Sequence, residues 1–217
     1  NGRSISTVGI YLRSLKAVYN AQNIDRSAYP FGVGKFVIPT SRNIKKALTL
    51  DEIAKIYNYK APSNSKKEMA KDYWMFIYLS GGINVKDFCS LKWKNIDGST
   101  LTYTRAKTRR SNQEQKTLSV ALKPESLEIV KKWSVPSSNK EAFVFPHRNN
   151  RMSEGKKRMI GKKLTETINK YVGEIAREEG IDKKVTTTCA RHSFATVLKR
   201  SGVKTNMISE LLGHSSL

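Results

Sequence analysis

The chain has 217 residues, with 40 lysine and arginine residues against 18 aspartate and glutamate residues, and its formal net charge is +22. Because so large an excess of one sign repels itself in a compact fold, it predicts a polyanionic partner, of which nucleic acid is the simplest. The 38% hydrophobic content supports a globular core, no apolar run of about 18 residues predicts a membrane span, and no signal peptide is visible.

The first 47 residues predict one helix followed by a linker. From Ile5 to Tyr19, apolar residues recur at three- and four-residue spacing, which indicates an amphipathic helix. Since one helix cannot bury its own apolar stripe, we expect residues 1–24 to be the last helix of a small domain that is incomplete in this sequence. Residues 25–47 contain two prolines, two glycines and a basic run, and they predict an extended linker.

The main domain is predicted over residues 48–217 and begins with three helices. Thr49 and Glu52 have the spacing of a capping box at the start of the first helix. The second helix lies in the strongly apolar segment KKEMAKDYWMFIYLSGG, and its two glycines end it. A short third helix in NVKDFCSLKW has Asn84 as its cap.

A small sheet and four further helices complete the prediction. The turn-forming pair Asp97-Gly98 predicts a β-hairpin that continues through TYTRAKT, and KTLSVAL predicts a third strand. The helices are predicted in PESLEIVKKW, over about 156–179, over about 190–200, and from a Thr205 cap to Leu212. The predicted fold is therefore mainly α with a small antiparallel β-sheet, an α+β class.

The candidate chemistry is phosphate binding by cations. The sequence has no H-E-x-x-H, paired C-x-x-C or Walker pattern, and its two cysteines are far apart, so we expect no metal or other cofactor and a reducing cytoplasm. Arg191 is predicted in the first turn of its helix, where the backbone N–H groups and the helix dipole favour an anion. Arg105 and Lys107 are two apart on a predicted strand, so both side chains should leave the same face of the sheet.

Four segments carry a resemblance to a known family. ARHSFATVLKRSG followed by ISELLGHSS resembles the C-terminal signature of the tyrosine recombinases, the phage-integrase family. LSGGINVKDFCSLKWKNID followed by TYTRAKT is similar to the family's first-arginine segment and its lysine-bearing hairpin. The resemblance covers about residues 50–217 and is greatest to integrases of bacterial conjugative transposons and related mobile elements. It implies a recombinase catalytic domain preceded by the end of a helical core-binding domain.

The resemblance implies DNA strand breakage and rejoining without metal or ATP. In this family a tyrosine attacks the scissile phosphate, a 3′-phosphotyrosine forms, and the 5′-hydroxyl of a partner strand later reverses the step. Arg191 matches the arginine that binds the non-bridging oxygens, Lys107 the lysine that protonates the 5′-oxygen, and His214 the histidine that hydrogen-bonds the phosphate. Such chemistry needs positive charge around the phosphorus and a proton for the leaving oxygen.

The sequence departs from the family pattern at several positions. Asn84 stands where the family has its first arginine, and we expect Arg105 to replace that charge while Asn84 caps a helix. Thr188 stands where a histidine is common, and it can either cap the helix or hydrogen-bond a phosphate oxygen. For His192 a packing role is expected. The nucleophilic tyrosine of the family would lie beyond residue 217, so we expect residues 48–217 to lack the C-terminal tyrosine segment.

The resemblance implies three partners: double-stranded DNA, further copies of the chain in a homotetramer on paired sites, and accessory DNA-bending proteins. The implied location is the bacterial cytoplasm, at the nucleoid.

Three alternative functions stay open. A basic surface can serve solubility or ribosome association alone. The same fold can bind DNA without catalysis, since Asn84 and Thr188 are departures from the catalytic pattern. A type IB topoisomerase shares the phosphotyrosine chemistry.

Overall fold

The computed structural model describes residues 2–22, 24–25, 27–32, 34–40, 47–106 and 117–213, which form two compact units, residues 1–45 and 46–217. The α-helices are α1 Ile5–Ala21, α2 Leu50–Asn58, α3 Lys66–Leu79, α4 Val85–Phe88, α5 Pro124–Trp133, α6 Glu154–Glu178, α7 Thr187–Arg200 and α8 Thr205–Leu211. The strands are β1 Ile96–Asp97, β2 Thr100–Thr104 and β3 Thr117–Ala121. The predicted class, mainly helical with a small antiparallel sheet, is confirmed, and none of the described helices is long and apolar enough to cross a membrane.

In the first unit, helix α1 forms where the sequence predicts it. Ser4 caps the helix, because its hydroxyl oxygen accepts a hydrogen bond from the backbone N–H of Thr7 at 3.3 Å. Within the predicted linker, Phe31 is buried, and its ring lies edge-on to the ring of Tyr19 with 5.8 Å between centroids. Part of that segment therefore packs on α1, and the assignment of residues 1–24 and 25–47 to a domain remnant and a linker stays a prediction.

Helix α3 is the centre of the second unit. Every side chain from Asp72 to Ile77 is buried, so this helix is covered on all sides, by α5, α6 and α7 among others. Helix α6 also buries an apolar stripe, at Leu164, Ile168, Val172 and Ile175. The C-terminal half of helix α3 is buried around its whole circumference because each of its faces meets another element.

Helix starts that depend on local pairs agree with the sequence. The capping box of α2 is present, since the N–H of Thr49 donates to Glu52 at 2.7 Å and the N–H of Glu52 donates to the Thr49 hydroxyl at 3.2 Å. Asn84 caps α4 by accepting from the N–H of Lys86 at 3.1 Å. This confirms the role expected for Asn84 as a helix cap.

Two helix starts differ from the sequence prediction. Helix α7 begins at Thr187, and its cap is Thr186, whose hydroxyl accepts from the N–H of Cys189 at 3.3 Å. Capping by Thr188 is therefore wrong, and Arg191 lies in the second turn of α7 and not in the first. Lys204, not Thr205, is the N-cap of α8, and no side chain hydrogen bond caps that helix.

The three strands form one antiparallel sheet in the order β1-β2-β3, which confirms the hairpin and the third strand. The pairing of β2 with β3 ends at Thr104 and Thr117. Arg105 therefore follows the strand and is not part of it, so the prediction that it extends the strand is wrong. Lys107 lies outside the described residues.

Candidate active site

Arg191 projects from α7 onto the chain that follows α3. Its Nη1 donates a hydrogen bond to the carbonyl oxygen of Gly82 at 2.7 Å, and its Nη2 donates to the carbonyl oxygen of Leu212. Gly82 has a φ of +68°, and a Cβ at this position would lie 2.9 Å from both Cα and Cγ of Arg191. Only a glycine combines this backbone conformation with so close an approach.

Arg105 reaches the same place from the end of the sheet. Its Nη1 donates to the carbonyl oxygens of Leu212 at 2.8 Å and Gly213 at 2.6 Å. Gly213 follows α8 with a φ of +65°, and a Cβ there would lie 2.5 Å from Cδ of Arg105. Each of the two arginines thus packs against a left-handed glycine and donates to the carbonyl of that glycine.

The two guanidinium groups meet at one atom, the carbonyl oxygen of Leu212. Burial lowers the pKa of Arg191, and the nearby charge of Arg105 lowers it further. The last carbonyls of a helix carry a partial negative charge, which offsets this repulsion and holds the pair together. Residues from the hairpin, α7 and α8 therefore converge, and the result is a pair of forked donors that suits two oxygens of a phosphate.

Asp87 on α4 lies beside this pair. Its carboxylate accepts a hydrogen bond from the N–H of Ala106 at 2.9 Å, which fixes the backbone next to Arg105. Burial raises the pKa of Asp87, against the lowering effect of the Ala106 N–H and of the neighbouring arginine charges. The carboxylate is therefore a buried acceptor that orients the chain at Arg105.

Tyr103 is a tyrosine whose charge would interact with both arginines, but it belongs to the core. Its side chain is buried, and burial raises its pKa to about 12. The phenol is therefore un-ionised near neutral pH. Tyr103 acts as a packing residue beneath the pair.

The remaining predicted residues lie in different settings. Thr188 is exposed in the first turn of α7, one turn before Arg191, so its hydroxyl is at the surface. His192 is also exposed, which contradicts the packing role expected for it. Lys107 and His214 lie outside the described residues. In the sequence, Lys107 comes two residues after Arg105 and His214 directly follows Gly213.

A basic groove, formed by two cavities that share part of their lining, lies at α4 and the start of α6. A cavity of about 520 Å³ opens between α4 and α6, and a second cavity shares part of its lining and reaches Ala106, the residue after Arg105. The charged residues that line the first cavity are Lys86, Arg148, Glu154, Lys157, Arg158 and Lys162. In the described part of the chain, no three His, Cys, Asp or Glu side chains are grouped as metal ligands are.

Comparison with known proteins decides the family. A sequence model described as the phage integrase family matches residues 46–217. The chain belongs to this family. The resemblance drawn from the four sequence segments is thereby confirmed.

Relatives of this phage integrase family member are named tyrosine recombinases. XerA of Pyrococcus furiosus is 26% identical over 217 residues, which are 100% of this chain and 68% of that protein. XerD of Listeria monocytogenes serotype 4b is 26% identical over 221 residues, covering 100% of this chain and 70% of that protein.

Solved structures share the fold of this family member. A structure of the Tn1549 transposon integrase in complex with transposon right end DNA has a TM-score of 0.63 at 17% identity, over 99% of this chain and 73% of that one. XerH recombinase bound to its difH substrate has a TM-score of 0.57 at 20% identity, over 99% and 60% of the two chains.

Several residues of the site escape sequence reasoning. The glycine pair at the end of α3 is predictable as a helix stop, but the packing of Gly82 against Arg191 depends on an element more than 100 residues later. Asp87 could have been suspected, because an acidic side chain between the apolar residues Val85 and Phe88 of a short helix needs a hydrogen-bond partner if it is buried. The carbonyl of Leu212 has no signal, since every residue carries one.

Proposed function

We propose that this phage integrase family chain belongs to a site-specific DNA recombinase that breaks and rejoins strands through a 3′-phosphotyrosine without metal or ATP, and so integrates or excises a mobile element. The observation that carries the proposal is the convergence of Arg105 and Arg191 on one carbonyl oxygen. A phosphodiester brought to this pair would meet two forked cations in a partly buried setting, where charge stabilisation of a pentavalent phosphorus is most effective. The names of the relatives support the same reaction.

The proposed reaction assigns a role to each residue. Arg105 and Arg191 bind the non-bridging oxygens. A tyrosine that we expect beyond residue 217 forms the new phosphorus–oxygen bond, and the 5′-oxygen leaves with a proton from Lys107. His214 hydrogen-bonds the phosphate, and Thr188, exposed on the first turn of α7, is an additional hydroxyl donor to it.

Arg105 takes the place of the arginine that the family has at the position of Asn84. The Asn84 side chain is engaged as the cap of α4 and carries no charge. Arg105 is the second cation of the pair, and its charge acts directly on Arg191. One guanidinium is therefore supplied from the hairpin to a site that has lost one from α4.

The proposed substrate is double-stranded DNA. The net charge of +22 and the groove that leads from Lys162 to Ala106 support binding of a phosphate backbone that passes through the arginine pair. In this proposal residues 1–24 end a core-binding domain and residues 25–47 link it to the catalytic domain. The protein acts as a homotetramer on paired sites, with accessory DNA-bending proteins, in the bacterial cytoplasm at the nucleoid.

The test uses the full-length protein and a nicked suicide substrate, on which a covalent protein–DNA adduct accumulates. We expect Arg105→Ala to slow adduct formation by about 100-fold or more, as loss of one charge-stabilising donor does. Asn84→Ala should stay within about threefold, because a helix cap contributes only about 1 kcal/mol of stability.

Three results would contradict parts of the proposal. Near-normal adduct formation by Arg105→Ala eliminates the replacement of the missing arginine. A wild-type protein that binds DNA and forms no adduct is a non-catalytic DNA-binding protein. Relaxation of supercoiled plasmid without strand exchange indicates a type IB topoisomerase.

A further inference from the structure

The end of α8 does more than close a helix. We propose that the carbonyl groups of Leu212 and Gly213 are a positioning device that fixes the guanidinium groups of Arg105 and Arg191 for one phosphate, and that Gly213 is a positioning residue for the reaction. The inference rests on the proposed function, since it concerns how the same arginine pair is held.

The hydrogen bonds tie both arginines to a single turn of backbone. The carbonyl of Leu212 accepts from Arg105 at 2.8 Å and also from Arg191, and the carbonyl of Gly213 accepts from Arg105 at 2.6 Å. The second bond of Arg191, to Gly82 at 2.7 Å, fixes its other side. Arg191 is thus held from two directions, and Arg105 is held by two adjacent carbonyls of one turn.

This arrangement answers a physical difficulty of the site. Two like charges at short range separate unless something opposes their repulsion, and a long arginine side chain loses about 2 kcal/mol of rotamer entropy when it is ordered. The terminal carbonyls of α8 supply the opposing partial charge and the acceptors. Because they are neutral groups, they orient the arginines without cancelling the charge that the phosphate needs.

Gly213 is required by its surroundings as well as by its backbone. A Cβ at this position would lie 2.5 Å from Cδ of Arg105 and 2.9 Å from Cδ1 of Leu118. Gly180, after α6, has nearly the same φ, +67° against +65°, but a Cβ there would meet nothing within 4 Å. Alanine at either position strains the backbone alike, and only at Gly213 does it also displace Arg105.

The experiment compares Gly213→Ala with Gly180→Ala in the full-length protein. Three quantities are measured for each variant: the dissociation constant for the DNA site, the single-turnover rate of covalent adduct formation at saturating suicide substrate, and the melting temperature. We expect Gly213→Ala to lower the melting temperature at least as much as Gly180→Ala, because its Cβ also crowds Arg105 and Leu118, and we expect dissociation constants within about threefold of each other. The adduct rate of Gly213→Ala should be about 100-fold below that of Gly180→Ala, because a displacement of about 1 Å in a positioned group can have that effect.

Asparagine at the same two positions makes the test independent of backbone strain. Asparagine tolerates the left-handed conformation better than alanine, so Gly180→Asn should be milder than Gly180→Ala. If a side chain at residue 213 displaces Arg105, Gly213→Asn still loses about 100-fold in rate at saturating DNA. If Gly213→Ala does not fold, the comparison of Gly213→Asn with Gly180→Asn provides the same test.

Equal adduct rates for the Gly213 and Gly180 variants overturn the positioning role while leaving the proposed function intact. A wild-type protein that forms no adduct overturns the proposed function, and the positioning role with it. A rate loss confined to weaker DNA binding, with the saturated rate unchanged, also overturns the positioning role.

Discussion

Two places in the second unit bury an aspartate among cations, and they use it in opposite ways. On α3, Asp72 accepts hydrogen bonds from Nζ of Lys132 at 2.9 Å and from the indole N–H of Trp133 at 2.8 Å. Glu68 pairs with the same Lys132 at 2.7 Å, and Lys71 lies 3.8 Å from Asp72. Two carboxylates thus face two ammonium groups, and the cluster is balanced.

At Asp87 the balance is different. The carboxylate accepts from a backbone N–H, and the hydrogen bonds described for Arg105 and Arg191 go to neutral carbonyl groups. Those carbonyl groups orient the two guanidinium groups. The comparison teaches that paired charges hold elements of the fold together at Asp72, whereas carbonyl groups at a helix end orient two cations near Asp87.

The largest expected difference between the two clusters is in the rate of covalent adduct formation after a cation is replaced by alanine. Arg191→Ala is expected to lower the rate of covalent adduct formation by about 100-fold to 1,000-fold, because it removes forked donors from the phosphate. The measurement is the single-turnover rate on a suicide substrate at saturating DNA.

Lys132→Ala is the matched control at the balanced cluster. Although partial burial opposes the charged form, the hydrogen bonds to Glu68 and Asp72 raise the pKa of Lys132, so its loss should lower the free energy of unfolding. Its side chain is 39% exposed, and solvent screening limits the loss to about 1 kcal/mol. The adduct rate should stay within about twofold of wild type below the melting temperature. A rate loss comparable with that of Arg191→Ala would contradict the distinction.

Asp87→Asn is expected to have the smallest effect of the three variants, a change in how stability depends on pH. Burial raises the pKa of Asp87 in the folded state, so its contribution to stability is present below the pKa of the unfolded chain and is lost as pH rises through the folded pKa. Asparagine does not titrate there. Relative to wild type, the stability of Asp87→Asn should therefore increase as pH rises from about 4 toward neutrality, as measured by urea unfolding. A difference that is flat or decreases with pH would contradict this.

The sequence predicted most of the fold because its decisive signals are local. The capping pair Thr49 and Glu52, the Asn84 cap and the stripe of α6 each involve residues within a few turns of one another. The start of α7 was misplaced because three consecutive threonines can each serve as a cap. The N–H of Thr187 is bound by the side chain of Asn169 on α6 at 2.8 Å, a tertiary contact that local patterns do not contain.

The two arginine side chains of the site were predictable from the sequence, but the backbone groups that hold them were not. Arg105 and Arg191 could be named from charge, position and resemblance. The strand was expected to run through Arg105, yet its pairing ends at Thr104. After that residue, the N–H of Ala106 donates to Asp87 and the side chain of Arg105 donates to the carbonyl of Leu212 at the end of α8. The acceptors that unite the two arginines are backbone carbonyls at the end of α8, which no residue type announces.

The most direct test of the central claim, that two arginines act on one phosphate, is a double-mutant cycle on the adduct rate. Wild type, Arg105→Ala, Arg191→Ala and the double variant are compared on the same suicide substrate at saturating DNA. If the two arginines acted independently, the rate loss of the double variant would equal the product of the two single losses. The account predicts a double variant about tenfold or more faster than that product, because the effects of residues that act as a unit are not additive. Single effects that multiply in full would show that the two arginines act separately.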